Sequence, residues 1–75
     1  MICKVKYFND KIGAYSGTEY TYITTMDLKP LDKVIVPVGE ANEEKKAIVT
    51  AVNLPDTAIS PAWAERVKRI ERYDR

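Results

Sequence analysis

Two stretches near the start of the chain are predicted to be β-strands, the first from a period-two alternation of apolar and polar residues and the second from its residue types. The first stretch, residues 2–8, places Cys3, Val5 and Tyr7 on one face and two lysines on the other. The second, residues 19–25, is dense in Tyr, Thr and Ile, which suit a pleated surface. The residues between these predicted strands are rich in Gly, Ser and Asn and indicate a turn-rich connection.

The stretch from Leu28 to Gly39 is the centre of the predicted fold. A turn that contains Pro30 and Asp32 leads into a β-branched strand, Lys33–Val38, whose three valines share one face. Pro37 has no backbone donor, so we expect it at a strand end, at an edge or at a bulge.

The fourth predicted strand, Lys46–Leu54, follows an acidic loop at residues 39–44. It is predicted to form a hairpin with Lys33–Val38. Strict alternation puts Ile48, Val52 and Leu54 on one side and Ala47, Val49 and Ala51 on the other. Because both faces are apolar, this strand is expected in the interior of a curled sheet.

The last segment of the chain has a helical pattern. Ser60 suits the N-cap and Pro61 the first helical position. Apolar residues then recur at helical spacing, namely Ile59, Trp63, Val67, Ile70 and Tyr73. We predict a helix from Pro61 to about Tyr73. The alternative is one or two turns through Trp63, followed by a last strand, Val67–Tyr73, that pairs with the sheet.

These elements predict one domain, residues 1–75, of the mainly β class (small α+β). Its expected architecture is a curled antiparallel sheet or an open small barrel of four or five strands, SH3-like in type. A short C-terminal helix is expected to pack on it through Trp63. A chain of this length buries only about two thirds of its unfolded surface, so its core must be compact.

The composition argues against several functions. The chain has no histidine, and Cys3 has no second cysteine with which to form a disulfide or a zinc site. No Gly-rich phosphate loop or nucleophile motif is present, so we expect no catalysis, no metal and no cofactor. Glu40, Glu43 and Glu44 lack the spacing of a calcium loop and are interpreted as a solvated hairpin tip. The lone thiol, and an N-terminus without signal peptide or membrane span, predict the cytoplasm and no membrane contact.

The basic residues are distributed unevenly. All four arginines lie in the last ten positions, and residues 60–75 carry a net charge of +2 against −1 for residues 1–59. Arginine binds phosphate well, so this segment is a candidate for contact with nucleic acid. The competing interpretation is a solvated polar face.

The tyrosines are a second candidate. Tyr15, Tyr20 and Tyr22, together with Tyr7 and Trp63, can form a platform on which bases stack, or they can be core and edge cover. The same residue types are also the usual anchors of protein interfaces.

Part of the chain resembles a known family. Four segments carry the resemblance: Tyr20-Thr21-Tyr22, Leu28-Lys29-Pro30, Asp32 to Gly39, and Ile48-Val49 to Val52. Together they resemble the N-terminal DNA 3′-end-binding domain of the primosomal replication-restart helicase. The signature, residues 19–54, is also similar to that of small bacterial and phage proteins. The resemblance implies a small barrel that binds a DNA end. The family usually has Gly where this chain has Leu31, and an acidic residue at the DNA end where it has Thr21.

We therefore expect a non-enzymatic module that binds single-stranded or duplex nucleic acid. The expected contact residues are Arg66, Lys68, Arg69, Arg72, Tyr20 and Tyr22. The alternative is a protein interaction or self-association module that uses the C-terminal element or the sheet edge near Pro37.

Overall fold

The computed structural model describes residues 1–75 and contains six strands and one three-residue 3-10 helix, Asp56–Ala58. The strands are β1 (Ile2–Asn9), β2 (Ala14–Thr24), β3 (Lys33–Val38), β4 (Glu43–Leu54), β5 (Arg69–Ile70) and β6 (Arg72–Tyr73). They form one sheet with the order β5-β2-β1-β4-β3-β6. All neighbours are antiparallel except β2 and β5, so the sheet is mixed and has six strands, and the prediction of four or five antiparallel strands is wrong because residues 69–73 add one short strand to each edge. None of the chain's helical segments has the length and hydropathy that a membrane-spanning helix requires.

The two edges of the sheet come close together. The outer strands β5 and β6 do not pair with each other, but only Glu71 separates them along the chain. In addition, the Tyr22 hydroxyl donates to the Pro37 carbonyl at 2.8 Å, although β1 and β4 lie between β2 and β3 in the sheet. The sheet is therefore open but strongly curled, and its core lies on the concave side.

The core follows from the alternation of the strands. Cys3 and Val5 of β1, and Val34 and Val36 of β3, are fully buried, whereas Lys4 and Lys6 remain partly exposed. The buried cluster consists of Cys3, Val5, Tyr22, Leu28, Val34, Val36, Ala47, Val49 and Ile70. The mainly β class and the bounds of the strand Lys33–Val38 are thus confirmed.

Two strands differ from their predicted form. β2 begins at Ala14, earlier than residue 19, because the turn-rich residues 14–18 continue the pairing with β1 around an irregularity between Val5 and Tyr7. In β4, the register against β1 shifts twice beyond Val49, so that Val5 faces Val49, Lys4 faces Ala51 and Ile2 faces Leu54. The first shift inserts a residue between Val49 and Val52 and changes the phase of the alternation, so that Val52 packs against the core cluster that contains Val49. The predicted separation of these two valines onto opposite faces is wrong.

The predicted C-terminal helix is also wrong. Residues 61–66 form successive turns, with hydrogen bonds from Trp63 N to Ser60 O at 2.9 Å and from Arg66 N to Trp63 O at 2.8 Å. Beyond them, Ile23 N donates to Lys68 O at 3.0 Å and Asp74 N donates to Lys33 O at 3.0 Å. The segment thus provides backbone partners for both edges of the sheet, which a helix cannot do. The alternative of turns followed by strand pairing is the one observed.

Candidate functional site

The structure separates the six predicted contact residues into two groups. Tyr20, Tyr22, Arg66 and Lys68 line one depression of about 180 Å³, which we call the tyrosine depression. Arg69 and Arg72 line a different one, of about 170 Å³, beside Ile35, Val36, Pro37, Glu44 and Glu71. The six residues predicted to form one contact surface therefore lie on two surfaces.

The tyrosine depression lies where the concave side of the sheet opens to solvent. Tyr7 and Tyr20 stack with their ring centroids 4.3 Å apart and their planes 9° from parallel. The Lys45 ammonium lies 5.4 Å from the Tyr7 centroid. Because β1 lies between β2 and β4, Tyr20 and Lys45 approach Tyr7 from opposite sides and form a row across three strands. Tyr20 is 43% exposed, so its ring is accessible to a ligand.

Tyr22 has a different role from Tyr20. Its side chain is buried, and its hydroxyl contacts the Tyr7 hydroxyl at 2.8 Å and donates to the Pro37 carbonyl at 2.8 Å. Burial raises the pKa of Tyr22 above its usual value. Tyr22 therefore holds Tyr7 in place and does not present its own ring. Tyr15, another candidate, packs edge-on against Phe8 at 5.1 Å.

A second depression, of about 340 Å³, adjoins the first. We call it the Trp63 depression, and its lining residues are Thr21, Ala58, Ile59, Ser60, Trp63, Arg66 and Val67. Thr21 and Arg66 line both depressions, so the two are neighbours that share a wall. Trp63 is 57% exposed, and the Arg66 guanidinium lies 5.1 Å from the centre of its ring system. Arg66 thus contacts the Trp63 ring and also lines the depression that contains Tyr20.

Lys68 is oriented by the β3–β4 turn. Its ammonium donates to the Gly39 carbonyl and, at 2.6 Å, to Asn42 Oδ1. Both partners are neutral, so the positive charge of Lys68 is not cancelled by a carboxylate. An ammonium has three donors, and the third stays available to a ligand.

The second arginine group is electrostatically different. Arg72 forms a salt bridge with Glu44, the one salt bridge of the structure, and Glu71 lies in the same depression. In contrast, neither the tyrosine depression nor the Trp63 depression is lined by any Asp or Glu. An anion is therefore better accommodated near Arg66 and Lys68 than near Arg72.

Two residues, one lining the site and one beside it, were not identified from the sequence. Lys45 lies two positions before the buried Ala47, and the alternation of β4 gives a signal that it shares that face. Thr21 joins the two depressions only because residues 58–67 fold against β2, and no local pattern indicates that contact.

Two other features add no chemistry. Cys3 is buried, and desolvation raises the pKa of its thiol, which keeps it in the unreactive neutral form. No group of three or more His, Cys, Asp or Glu side chains is placed to hold a metal ion.

The site is thus a surface of two joined depressions with an accessible Tyr20 in one, an accessible Trp63 in the other and Arg66 between them. Comparison of the chain with protein-family models, with curated proteins and with solved structures gives no match in any of the three.

Proposed function

We propose that this chain is a non-enzymatic module that binds single-stranded nucleic acid in the tyrosine and Trp63 depressions. The observation that carries the proposal is that Arg66 lines both depressions, each of which contains one exposed aromatic ring and no carboxylate. The net charge of the chain is only +1, so attraction of a polyanion depends on this local arrangement.

The chemistry of the surface suits this ligand. An aromatic ring stacks on a base of any sequence, at about 1–3 kcal/mol per base. A guanidinium between two such rings can donate to the phosphate that links two stacked bases. Lys68, with one free donor, supplies a second cation to the backbone of the strand.

Single strands fit better than a duplex. The accessible parts of Tyr20 and Trp63 line concave depressions, and a base must leave its paired stack to reach such a ring. Base-edge readout in a groove usually depends on a helix or a β-ribbon that projects from the protein. The curled sheet presents depressions and no projecting helix.

The proposed contact surface is smaller than the one expected from the sequence. Tyr20, Arg66 and Lys68 remain in it and Trp63 joins it, whereas Tyr22 supports it from below. Arg69 and Arg72 lie outside it, with Arg72 paired to Glu44. The cytoplasm, where nucleic acid is present and a lone thiol stays reduced, is the compartment we propose.

Fluorescence anisotropy of labelled oligothymidylate, with matched RNA and duplex DNA, tests this function across salt concentrations. Trp63→Ala should weaken single-strand binding about tenfold or more through lost stacking. Arg66→Ala should weaken it and make the salt slope shallower by about 0.7. Lys29→Ala removes an exposed cation outside both depressions and should leave the affinity within twofold.

The proposal fails if no single strand binds at low salt, or if Trp63→Ala and Arg66→Ala bind as tightly as wild type. A protein or a second copy of the chain is the competing occupant of the Trp63 depression. Its sign would be a salt-insensitive complex that depends on Trp63 but not on Arg66.

A further inference from the structure

The aromatic surface does not end at Tyr20. Tyr7, which stacks on Tyr20, also lines a third depression of about 440 Å³ on its other side. We call this the Lys45 depression; its cations are Lys45, whose ammonium lies over the Tyr7 ring, and Lys11. Tyr7 therefore connects it to the tyrosine depression in the same way that Arg66 connects the tyrosine and Trp63 depressions.

From this continuity we propose that the bound strand follows one track through all three depressions, from Trp63 across Tyr20 to Lys45 and Lys11. The inference rests on the proposed function and extends it. It assigns Lys45 and Lys11 as phosphate contacts. The ligand is then a strand long enough to span all three depressions, and not only a dinucleotide.

Charge complementarity supports a phosphate backbone as the occupant of the third depression. Lys45 and Lys11 provide two cations against one acid in the lining, Asp10. Neither lysine forms a salt bridge, since the one such pair of the structure joins Arg72 and Glu44. The rest of the lining is mainly polar and includes Asn9, Ser16 and Gly17. This depression thus offers charge and hydrogen bonds, whereas the Trp63 depression offers a ring.

The division of roles predicts how affinity depends on strand length. A short strand contacts only the two aromatic rings, which stack on its bases, and Arg66, which binds one linking phosphate. A longer strand adds phosphates at Lys45 and Lys11, so affinity and salt dependence should both rise with length until the track is filled. For single strands each neutralised phosphate adds about 0.7 to the salt slope.

The test measures the binding of oligothymidylates of four, eight and twelve nucleotides to the double variant Lys11→Gln/Lys45→Gln. The matched control, Lys29→Gln/Lys33→Gln, removes the same number of positive charges. Lys33 is the first residue of β3, at the end of the β3–β4 hairpin away from its turn, and Lys29 lies in the preceding loop. Glutamine keeps the length of the side chain, and equal urea midpoints establish that both variants are folded.

We expect the track variant to bind the twelve-nucleotide strand at least tenfold more weakly than wild type, with a salt slope shallower by about 1.4. Its affinity for the four-nucleotide strand should stay within threefold, and the control should stay within threefold throughout. If the track variant matches the control while Trp63→Ala still weakens binding, the third depression is not part of the site and the proposed function stands. If no oligonucleotide binds to the wild type, both proposals are overturned.

Discussion

The hydroxyl oxygens of Tyr7 and Tyr22 lie 2.8 Å apart, and this contact joins the core of the sheet to its accessible aromatic surface. The Tyr22 hydroxyl proton is directed to the Pro37 carbonyl, which cannot itself donate, so Tyr7 is the donor to Tyr22. Through this chain of hydrogen bonds, β1, β2 and β3 hold the Tyr7 ring against Tyr20. The position of the proposed binding surface therefore depends on a buried group that does not touch the ligand.

Replacement of Tyr22 by phenylalanine should lower the free energy of unfolding by about 1–2 kcal/mol. The ring stays, but the Pro37 carbonyl and the Tyr7 hydroxyl both lose a partner in a partly buried place. Urea denaturation measures the loss as a lower midpoint at an unchanged m value. Tyr15→Phe is the matched control, because the Tyr15 hydroxyl has no hydrogen bond to the protein, and it should change the stability by less than about 0.5 kcal/mol. Equal effects of the two substitutions would contradict the assigned network.

Stability should fall as the pH rises above about 10, the ordinary pKa of tyrosine. Burial raises the pKa of Tyr22, and also that of Tyr7 and Tyr15, so the folded chain keeps protons that the unfolded chain has lost. The stabilisation is complete below the unfolded pKa and decreases above it, by about 1.4 kcal/mol per pH unit for each tyrosine that stays protonated. Urea unfolding from pH 9 to 11.5 measures this slope. Tyr22→Phe should make it shallower, and a slope unchanged by that substitution would show that Tyr22 is not responsible.

The sequence predicts well where alternation is regular and turns have a chemical signature. The strand Lys33–Val38 has both, with Pro30 and Asp32 before it and Gly39 after it, and its bounds agree with the structure. Prediction fails in β4, where the register against β1 shifts twice, because the shift that turns Val52 toward the core has no marker in the sequence. Long-range pairing is the second cause of failure. Trp63, Val67 and Ile70 have the spacing of a helical stripe. The end of the segment nevertheless forms β5 and β6, because these strands pair with the otherwise open edges of β2 and β3.

The candidate site was predictable in residue type but not in arrangement. Tyr20, Arg66 and Lys68 line one depression because β2 and the last segment are neighbours. The separation of Arg72 from them follows from its salt bridge with Glu44, a residue nearly thirty positions earlier. Such a contact is fixed by the register of β3 with β4 and β6, which no local pattern specifies.

Leu31→Gly should stabilise the fold relative to Leu31→Val. Leu31 has a φ of 78°, in the left-handed region that costs an L-residue about 1–2 kcal/mol and is most costly for β-branched side chains. The side chain is 76% exposed, so its removal loses little burial, while Leu31 N keeps its bond to the Val49 carbonyl at 2.8 Å. We expect the glycine variant to be about 1–2 kcal/mol more stable than the valine variant by urea denaturation. Lys29→Gly, at a nearby residue without positive φ, should lose about 0.5–1 kcal/mol and serves as the control.

Ile70 should contribute more to the stability of the fold than Trp63, although its side chain is smaller. Ile70 is 1% exposed and belongs to the core cluster, so Ile70→Ala should lower the free energy of unfolding by about 2–4 kcal/mol. Trp63 lies in a turn with more than half of its surface exposed, and Trp63→Ala should cost less than about 1 kcal/mol. A helix packed through Trp63 would give the opposite order. Urea midpoints of the two variants decide between the arrangements, because a larger loss for Trp63→Ala than for Ile70→Ala would contradict the pairing of residues 69–73 with both edges of the sheet.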